Sequence, residues 1–324
     1  MSFKFAIMGD TRSDGDDNGV NIAMVEEICD DIGANSELAF VLGVGDYWNS
    51  TTHNAIVEFR TAASGIDTKD KYFIRGNHEH LGDNSGDEWS TAGPTGMVDW
   101  LSNPTNGPTE MTNAEHMTFH FDYGNATFIG LDEYIERQTD GTIDQTWLDA
   151  VFAAGVQEHV FVFAHEPLFG VLHTDCMDDN AAARDLFVQS AAAQGSKVYF
   201  CGHDHLFNVH KLNKTDGTVV DFYNYIIGTG GAPLREDTGA MTNQTGWETP
   251  ELIKHLDLSD DAYGYAICEV YGDTATVQFM RRTAANTFEV QEDATISYTL
   301  PESAKHYSMG GKIITINGKI VIGD

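Results

Sequence analysis

Near residue 200 an apolar run, KVYF, leads into CGHDHLF (201–207). In an extended segment side chains at i and i+2 point the same way, so His203 and His205 can converge on one point, as metal ligands must. Four other apolar runs end comparably: FAIMG in Asp10, VLGVG in Asp46, YFIRG in Asn77-His78-Glu79 and FVFA in His165. Singly, each has an ordinary reading, because Asp and Asn are common turn residues and a lone His is more often structural. As one set of strand ends they describe a site. Carboxylate, amide oxygen and imidazole, with no thiolate, suit Mn, Fe or Zn. Asp10, Asp46, Asn77, His165, His203 and His205 are too many ligands for one four-coordinate ion and fit two ions sharing a carboxylate. Two metals roughly 3.5–4 Å apart are the usual clamp for in-line displacement at phosphorus, with a metal-bound hydroxide as the nucleophile.

The elements that must present these residues read as alternating strands and helices. FKFAIMG, LAFVLGVG, KYFIRG, HVFVFA and KVYFCG are strand-like. Residues 20–32, AIVEFRTAA, IDQTWLDAVFAAG and AAARDLFVQSAAA carry apolar residues at helical spacing. Such alternation predicts βαβ units and a largely parallel sheet buried on both faces, with ligands at the carboxyl ends of its strands. The alternation breaks over about 82–115, rich in Gly, Pro, Asn, Ser and Thr with a short helix around Met97–Leu101, and again over 232–261; both are predicted loop insertions. A β-rich portion follows over about 263–324, with period-2 strands and an Asn317-Gly318 hairpin signal. No repeat or clear linker divides the chain, so 1–324 reads as a single domain.

Composition narrows the partners. With 50 acidic and 18 basic residues, the net charge is −32 over 324 residues, which disfavours nucleic-acid backbones and favours a small-molecule phosphate ester. Abundant Asp with few Lys is also the composition of a saline habitat. There is no apolar run of the length a membrane span needs, and MSFKFAIMGD begins almost at once with a strand rather than a leader; compartment and oligomeric state stay open. Cys29, Cys176, Cys201 and Cys268 are widely spaced, which excludes a thiolate zinc motif and a disulfide framework.

GD at 9–10, GD at 45–46, GNHE at 76–79, AHEP at 164–167 and GHDH at 202–205 resemble, as an ordered set, the calcineurin-like metallophosphoesterases. The resemblance implies an α/β fold, a four-layer αββα sandwich of two mixed sheets flanked by helices. It implies that Asp46 bridges two metals, that Asp10 and His205 hold the first, and that Asn77, His165 and His203 hold the second. His78 would face the substrate, neutralising charge or protonating the leaving oxygen. The first motif departs from the pattern. Most of the family has Asp-x-His, whereas GDTR places Arg12 at the His position, and a guanidinium is no metal ligand. Purple acid phosphatases also lack that His and use a Tyr three residues beyond the second GD aspartate. Here that position is Asn49, a possible amide ligand, and Tyr47 lies one residue after Asp46. Arg12 either clamps substrate phosphate or pairs with Asp14, Asp16 or Asp17. His173, eight residues after His165, resembles histidines placed beside substrate in purple acid phosphatases. His80 reads equally as a supporting or a surface residue. Asp204 and Glu79 are candidates to orient the metal-bound imidazoles. GTGGAP (228–233) resembles the family's Gly-rich turn after GHxH, and also reads as a plain turn. The function implied is hydrolysis of phosphate mono- or diesters at a binuclear metal centre. The alternative is a degenerate, non-catalytic metal- or phosphate-binding module.

Overall fold

The computed structural model describes residues 2–13, 19–49, 53–81, 89, 97–101, 104–112, 114, 116–134, 142–241, 244–301, 306–309 and 312–315. The strands are β1 Ser2–Met8, β2 Leu38–Val44, β3 Asp70–Ile74, β4 Thr109–Glu110, β5 Phe119–Tyr123, β6 Ala126–Gly130, β7 His159–Phe163, β8 Val198–Cys201, β9 Phe207–Leu212, β10 Phe222–Ile227, β11 Glu251–Leu256, β12 Gly264–Tyr271, β13 Thr274–Ala284, β14 Thr287–Val290, β15 Ile296–Thr299, β16 His306–Met309 and β17 Lys312–Thr315. The strand order alone reads as one largely parallel sheet; the structure has the two mixed sheets that the family resemblance implies. The first runs β14-β13-β12-β1-β2-β3, with β15 beside β13; β1, β2 and β3 are parallel and β12 is antiparallel to β1. The second runs β11-β9-β10-β8-β7-β6-β5-β4, with β6, β7, β8 and β10 parallel and antiparallel neighbours at both sides. Which strands go to which sheet was hidden because a fully buried strand looks the same in either, and strand order does not say which neighbour it takes.

Period-2 alternation sorts the buried residues into layers. Phe3, Phe5 and Ile7 of β1 and Phe40, Leu42 and Val44 of β2 face the space between the sheets, with Phe128, Phe161 and Phe200 of the second sheet. The Phe5 and Phe40 rings stack at 5.2 Å, and the Phe128 ring meets both edge-on at 5.0 and 5.1 Å. The alternate residues Ala6, Met8 and Val41 face outward, onto Val25, Ile28 and Ile32 of the helix Ile22–Ala34 and Phe59 of the helix His53–Ala62. The helices Gln145–Ala154 and Ala181–Ala193 join the core of the second sheet through Leu148, Val151, Phe187 and Val188. The result is a four-layer αββα sandwich.

Other expectations meet particular outcomes. The 232–261 stretch, read as a loop, carries the edge strand β11, paired with β9. Its outermost residues Glu251 and Leu252 are exposed, and an edge strand with one wet face gives little apolar alternation to read. The 82–115 stretch contains the helix Met97–Leu101 and β4. The period-2 segments after residue 263 form β12 to β15. Lys312–Thr315 pairs with His306–Met309, while Asn317-Gly318 lies outside the described residues. Cys29, Cys176, Cys201 and Cys268 are buried and unpaired by any disulfide. Among the described residues no helix is long and apolar enough to cross a membrane.

One polar chain inside the second sheet has a pH consequence. His210 Nδ1 meets Asn208 Oδ1 at 2.6 Å, and Asn208 Nδ2 meets His255 Nδ1 at 3.1 Å. Burial, with the neighbouring His255 second, pushes His210 from its ordinary 6.5 down to about 4. Between those values the unfolded chain binds a proton that the folded chain refuses, so stability falls as pH drops through the window. The loss reaches about 3 kcal/mol at its limit. Urea unfolding at pH 7 and pH 5 is expected to show a smaller pH-dependent loss in His210→Gln than in the parent chain; equal losses would remove His210 as the source.

Candidate metal centre

The carboxyl ends of β1, β2, β3, β7 and β8 meet where the two sheets come together, and each delivers a polar residue within a few positions of its end. The chain turns sharply there. Asp10, Asp46 and His203 have φ of 53°, 58° and 68°, in the left-handed region that costs a non-glycine residue on the order of 1–3 kcal/mol. Backbone bonds hold the turns: Asp10 N–H donates to Gly45 O at 2.9 Å, and His203 N–H donates to both carboxylate oxygens of Asp10 at 3.0 and 3.1 Å. The glycines of the motifs have a steric reason. A Cβ at Gly76 would stand 2.2 Å from Asp46 Oδ1, and one at Gly202 would stand 2.0 Å from Asp10 Oδ2. Ligand carboxylates can reach the centre only over bare backbone.

Ligand-type atoms of Asp10, Asp46 and His165 lie within 4.8 Å of one another, all buried. His165 Nδ1 is 2.8 Å from the Val44 carbonyl, which fixes the proton on Nδ1 and leaves the lone pair on Nε2. Burial pushes this imidazole down to about 4, so it stays neutral. Its Nε2 faces Asp46 Oδ1 at 3.3 Å and Asn77 Oδ1 at 3.1 Å. The Asn77 oxygen is also 3.2 and 3.3 Å from the two Asp46 oxygens. Turned one way the Asn77 amide donates to Asp46 and His165; turned the other way it offers its oxygen beside them to a cation. Burial, with the charge of Asp46 second, holds Asp10 well above the usual carboxylate range. The donor set of Asp46, Asn77 and His165 therefore fits a divalent metal.

A ring of partners orients these groups. Glu79 collects four backbone donors: Asp46 N and Gly76 N on Oε2 at 2.8 and 2.7 Å, Tyr47 N and Trp48 N on Oε1 at 2.8 and 3.3 Å. It ties the end of β2 to the end of β3, and burial pushes it up to about 8. Asp204 accepts from Val171 N, Leu172 N and His173 N and pairs with His173 Nδ1 at 2.9 Å. His173, a third exposed, lies with its ring centre 4.6 Å from that of His203 and 5.6 Å from that of His205. The turn 228–233 is part of the site: Gly230 N donates to Gly9 O, Ala232 N to Asp10 O, and Pro233 O receives His205 Nδ1 at 3.2 Å. Reasoning from sequence missed Asp175, which meets His203 Nε2 at 3.4 Å, and Glu133, which accepts from His165 N and Glu166 N. Asp175 sits in no motif and at no strand end, so spacing carried no signal for it, whereas Glu133 closes the apolar run ATFIGLDE just past β6, beside β7, a signal of the same kind as the others.

The remaining expected residues are placed as follows. His78 donates its N–H to Asp46 Oδ1 at 3.1 Å, holds Nε2 3.8 Å from Asp46 Oδ2, and leaves a quarter of its side chain exposed. Arg12 is buried, with Nη2 3.1 Å from His205 Nε2 and Nε 3.6 Å from Asp46 Oδ2. Asn49 is exposed, unlike the other proposed ligands, and its N–H donates to Gly19 O. Tyr47 turns away: its hydroxyl donates to Ile74 O and accepts from Gly45 N, and its ring stacks on Phe73. The side chain of His80 and residues Asp14, Asp16 and Asp17 lie outside the described residues.

No curated protein matches the chain. The sequence model of one family, described as calcineurin-like phosphoesterase, matches residues 3–207. The chain belongs to that family. Among solved structures it is similar to a purple acid phosphatase from yellow lupin (Lupinus luteus) seeds, at 15% identity and a TM-score of 0.65, over 94% of this chain and 55% of that one. It thus spans about half the length of that phosphatase. GAP50, described as the anchor in the inner membrane complex of Plasmodium, matches at 12% identity and a TM-score of 0.64, over 93% of this chain and 90% of that one. PhoD matches at 12% identity and a TM-score of 0.56, over 92% and 70%. At such identities the likeness is one of fold. Family membership is what the match over residues 3–207 establishes.

In this chain the Glu79 side chain is expected to matter to folding as much as to the site. Glu79→Ala leaves four buried N–H groups without their acceptor, and urea denaturation should show a loss of about 3 kcal/mol or more. Glu79→Gln, which keeps one acceptor oxygen, should lose less. Parent-like midpoints in both variants would show that other groups hold the two loops together.

Proposed function

We propose that the protein hydrolyses small phosphate mono- or diesters at the centre formed by Asp10, Asp46, Asn77, His165, His203 and His205, acting as one catalytic unit built on the shared inter-sheet core. The observation that carries this is the convergence of neutral His165 Nε2, the Asn77 amide oxygen and Asp46 on one buried point. A bound Mn, Fe or Zn ion supplies there an acidified water and charge neutralisation for phosphate oxygens. A ligand set of six would serve two ions, and the placement of Arg12 among them bears on whether both positions fill.

The chain's own groups do the rest. His78, beside Asp46 and partly exposed, faces the substrate and donates to the leaving oxygen. His173 is fixed through Nδ1 by Asp204, so its Nε2 is directed to a bound phosphate. Asp175 occupies His203 Nε2 and leaves Nδ1 as the nitrogen for the ion. The net charge of −32 repels polyanions and favours small esters. A second reading, a non-catalytic module that binds metal or phosphate, is favoured by the loss of an imidazole at Arg12.

The test is hydrolysis of an aryl phosphate and its diester by protein purified without chelator, by the chelated protein, and by chelated protein resupplied with Mn, Fe or Zn. Turnover is expected to vanish on chelation and return with metal. His203→Ala should lower kcat/KM by at least about 100-fold. Undiminished turnover in the chelated protein would overturn the metal-dependent reading. Metal binding without turnover of either ester would establish the binding module.

A further inference from the structure

The six ligand-type residues do not face one common space, because a permanent cation of the chain already stands among them. Arg12 follows β1 by four residues and is held by a bridge to Val20. Its guanidinium is buried. Nη2 lies 3.1 Å from His205 Nε2, and Nε lies 3.6 Å from Asp46 Oδ2.

The two nitrogens of His205 have separate duties. Nδ1 meets the Pro233 carbonyl at 3.2 Å, and a carbonyl can only accept, so Nδ1 carries the proton and the lone pair is on Nε2. Arg12 presents only donors and keeps its charge at any working pH. The lone pair of His205 is therefore taken by a guanidinium N–H, and one lone pair cannot serve a metal at the same time.

Asp46 divides along the same line. Its Oδ1 faces His165 Nε2 at 3.3 Å and receives the His78 N–H at 3.1 Å. Its Oδ2 has Arg12 Nε at 3.6 Å, alongside the Asn77 amide at 3.3 Å and His78 Nε2 at 3.8 Å. In a binuclear centre that second oxygen would reach the second ion. Here the position is covered by a fixed positive charge, and a divalent ion beside it would meet strong like-charge repulsion in a buried site.

We infer that this phosphoesterase holds a single metal ion, on Asp46, Asn77 and His165, and that the Arg12 guanidinium replaces the second ion between Asp46 and His205. The inference rests on the metal-dependent reading of the site and specifies its stoichiometry. Asp10 remains within reach of the ion while accepting the His203 N–H. The variant GDTR motif then substitutes one cation for another, which keeps positive charge over the phosphate without a second metal to recruit.

The experiment uses the full chain, stripped with chelator, reloaded with Mn(II) and dialysed. Metal per chain is measured by mass spectrometry of the elements, and the Mn(II) by electron paramagnetic resonance. The parent chain is expected to bind one Mn(II), with the six-line spectrum of an isolated ion. His205→Ala should keep one ion, because His205 is not a ligand, whereas a two-ion centre would drop from two to one. His165→Ala should lose the ion. Arg12→His should raise the content toward two and give the multiline spectrum of exchange-coupled ions. Two coupled ions in the parent chain would overturn the inference, and with ester turnover intact would leave the phosphoesterase reading standing. One isolated ion without turnover would support the inference and overturn the catalytic reading instead.

Discussion

Two buried carboxyl groups, Asp10 and Asp46, brought together at the meeting of two sheets, set the constraint that organises the rest of this protein. Burying such groups is costly unless cations and donors compensate. Donors come from the backbone: the His203 N–H reaches Asp10 and the His78 N–H reaches Asp46. Positive charge comes from Arg12 and from the metal that the donor set fits. The neutral His165 imidazole, the Asn77 amide and the Asp46 carboxylate meet at one point.

That arrangement makes demands on the backbone, and the aromatic interior meets them. Three residues of the site adopt left-handed φ, and the glycines beside them leave no space for a side chain. Such conformations persist only when the surroundings over-determine them. The Phe5–Phe40–Phe128 contacts lock the first sheet against the second, while Glu79 and Glu133 fasten the loops from within. Both acids are raised by burial, Glu79 to about 8 and Glu133 well above the usual carboxylate range. Their worth lies in the N–H groups they satisfy.

Arg12, in the GDTR that follows the first strand, sets the chemistry on one side of Asp46. A His at position 12 would bring a lone pair to the centre, whereas the guanidinium brings charge and donors. The neighbours have adapted: His205 turns its lone pair to Arg12, and burial with that charge beside it pushes the imidazole down to about 3. Tyr47, adjacent to Asp46 in sequence, spends its hydroxyl on Ile74 and Gly45 rather than on the centre. Asn49 is exposed.

The amino-acid sequence by itself determined the strand ends that carry chemistry, the ligand types, and the departure at Arg12. These are local facts: apolar runs closed by Gly-Asp, Gly-Asn-His-Glu or Gly-His-Asp-His can be read residue by residue, because glycine is needed where a carboxylate must pass close to backbone. Only the tertiary structure decided which strands go to which of the two sheets and that β11 forms an edge where a loop was expected. It alone placed Asp175 on His203, Glu133 beneath His165, and the Gly-rich turn against Asp10. Those are pairings between residues tens to hundreds of positions apart, set by which faces the sheets bury against each other, and no periodicity along the chain encodes them. The role of Arg12 shows the same division. Its identity was legible in GDTR, and its position between Asp46 and His205, 193 residues away, follows only from folding the first strand against the eighth strand's end.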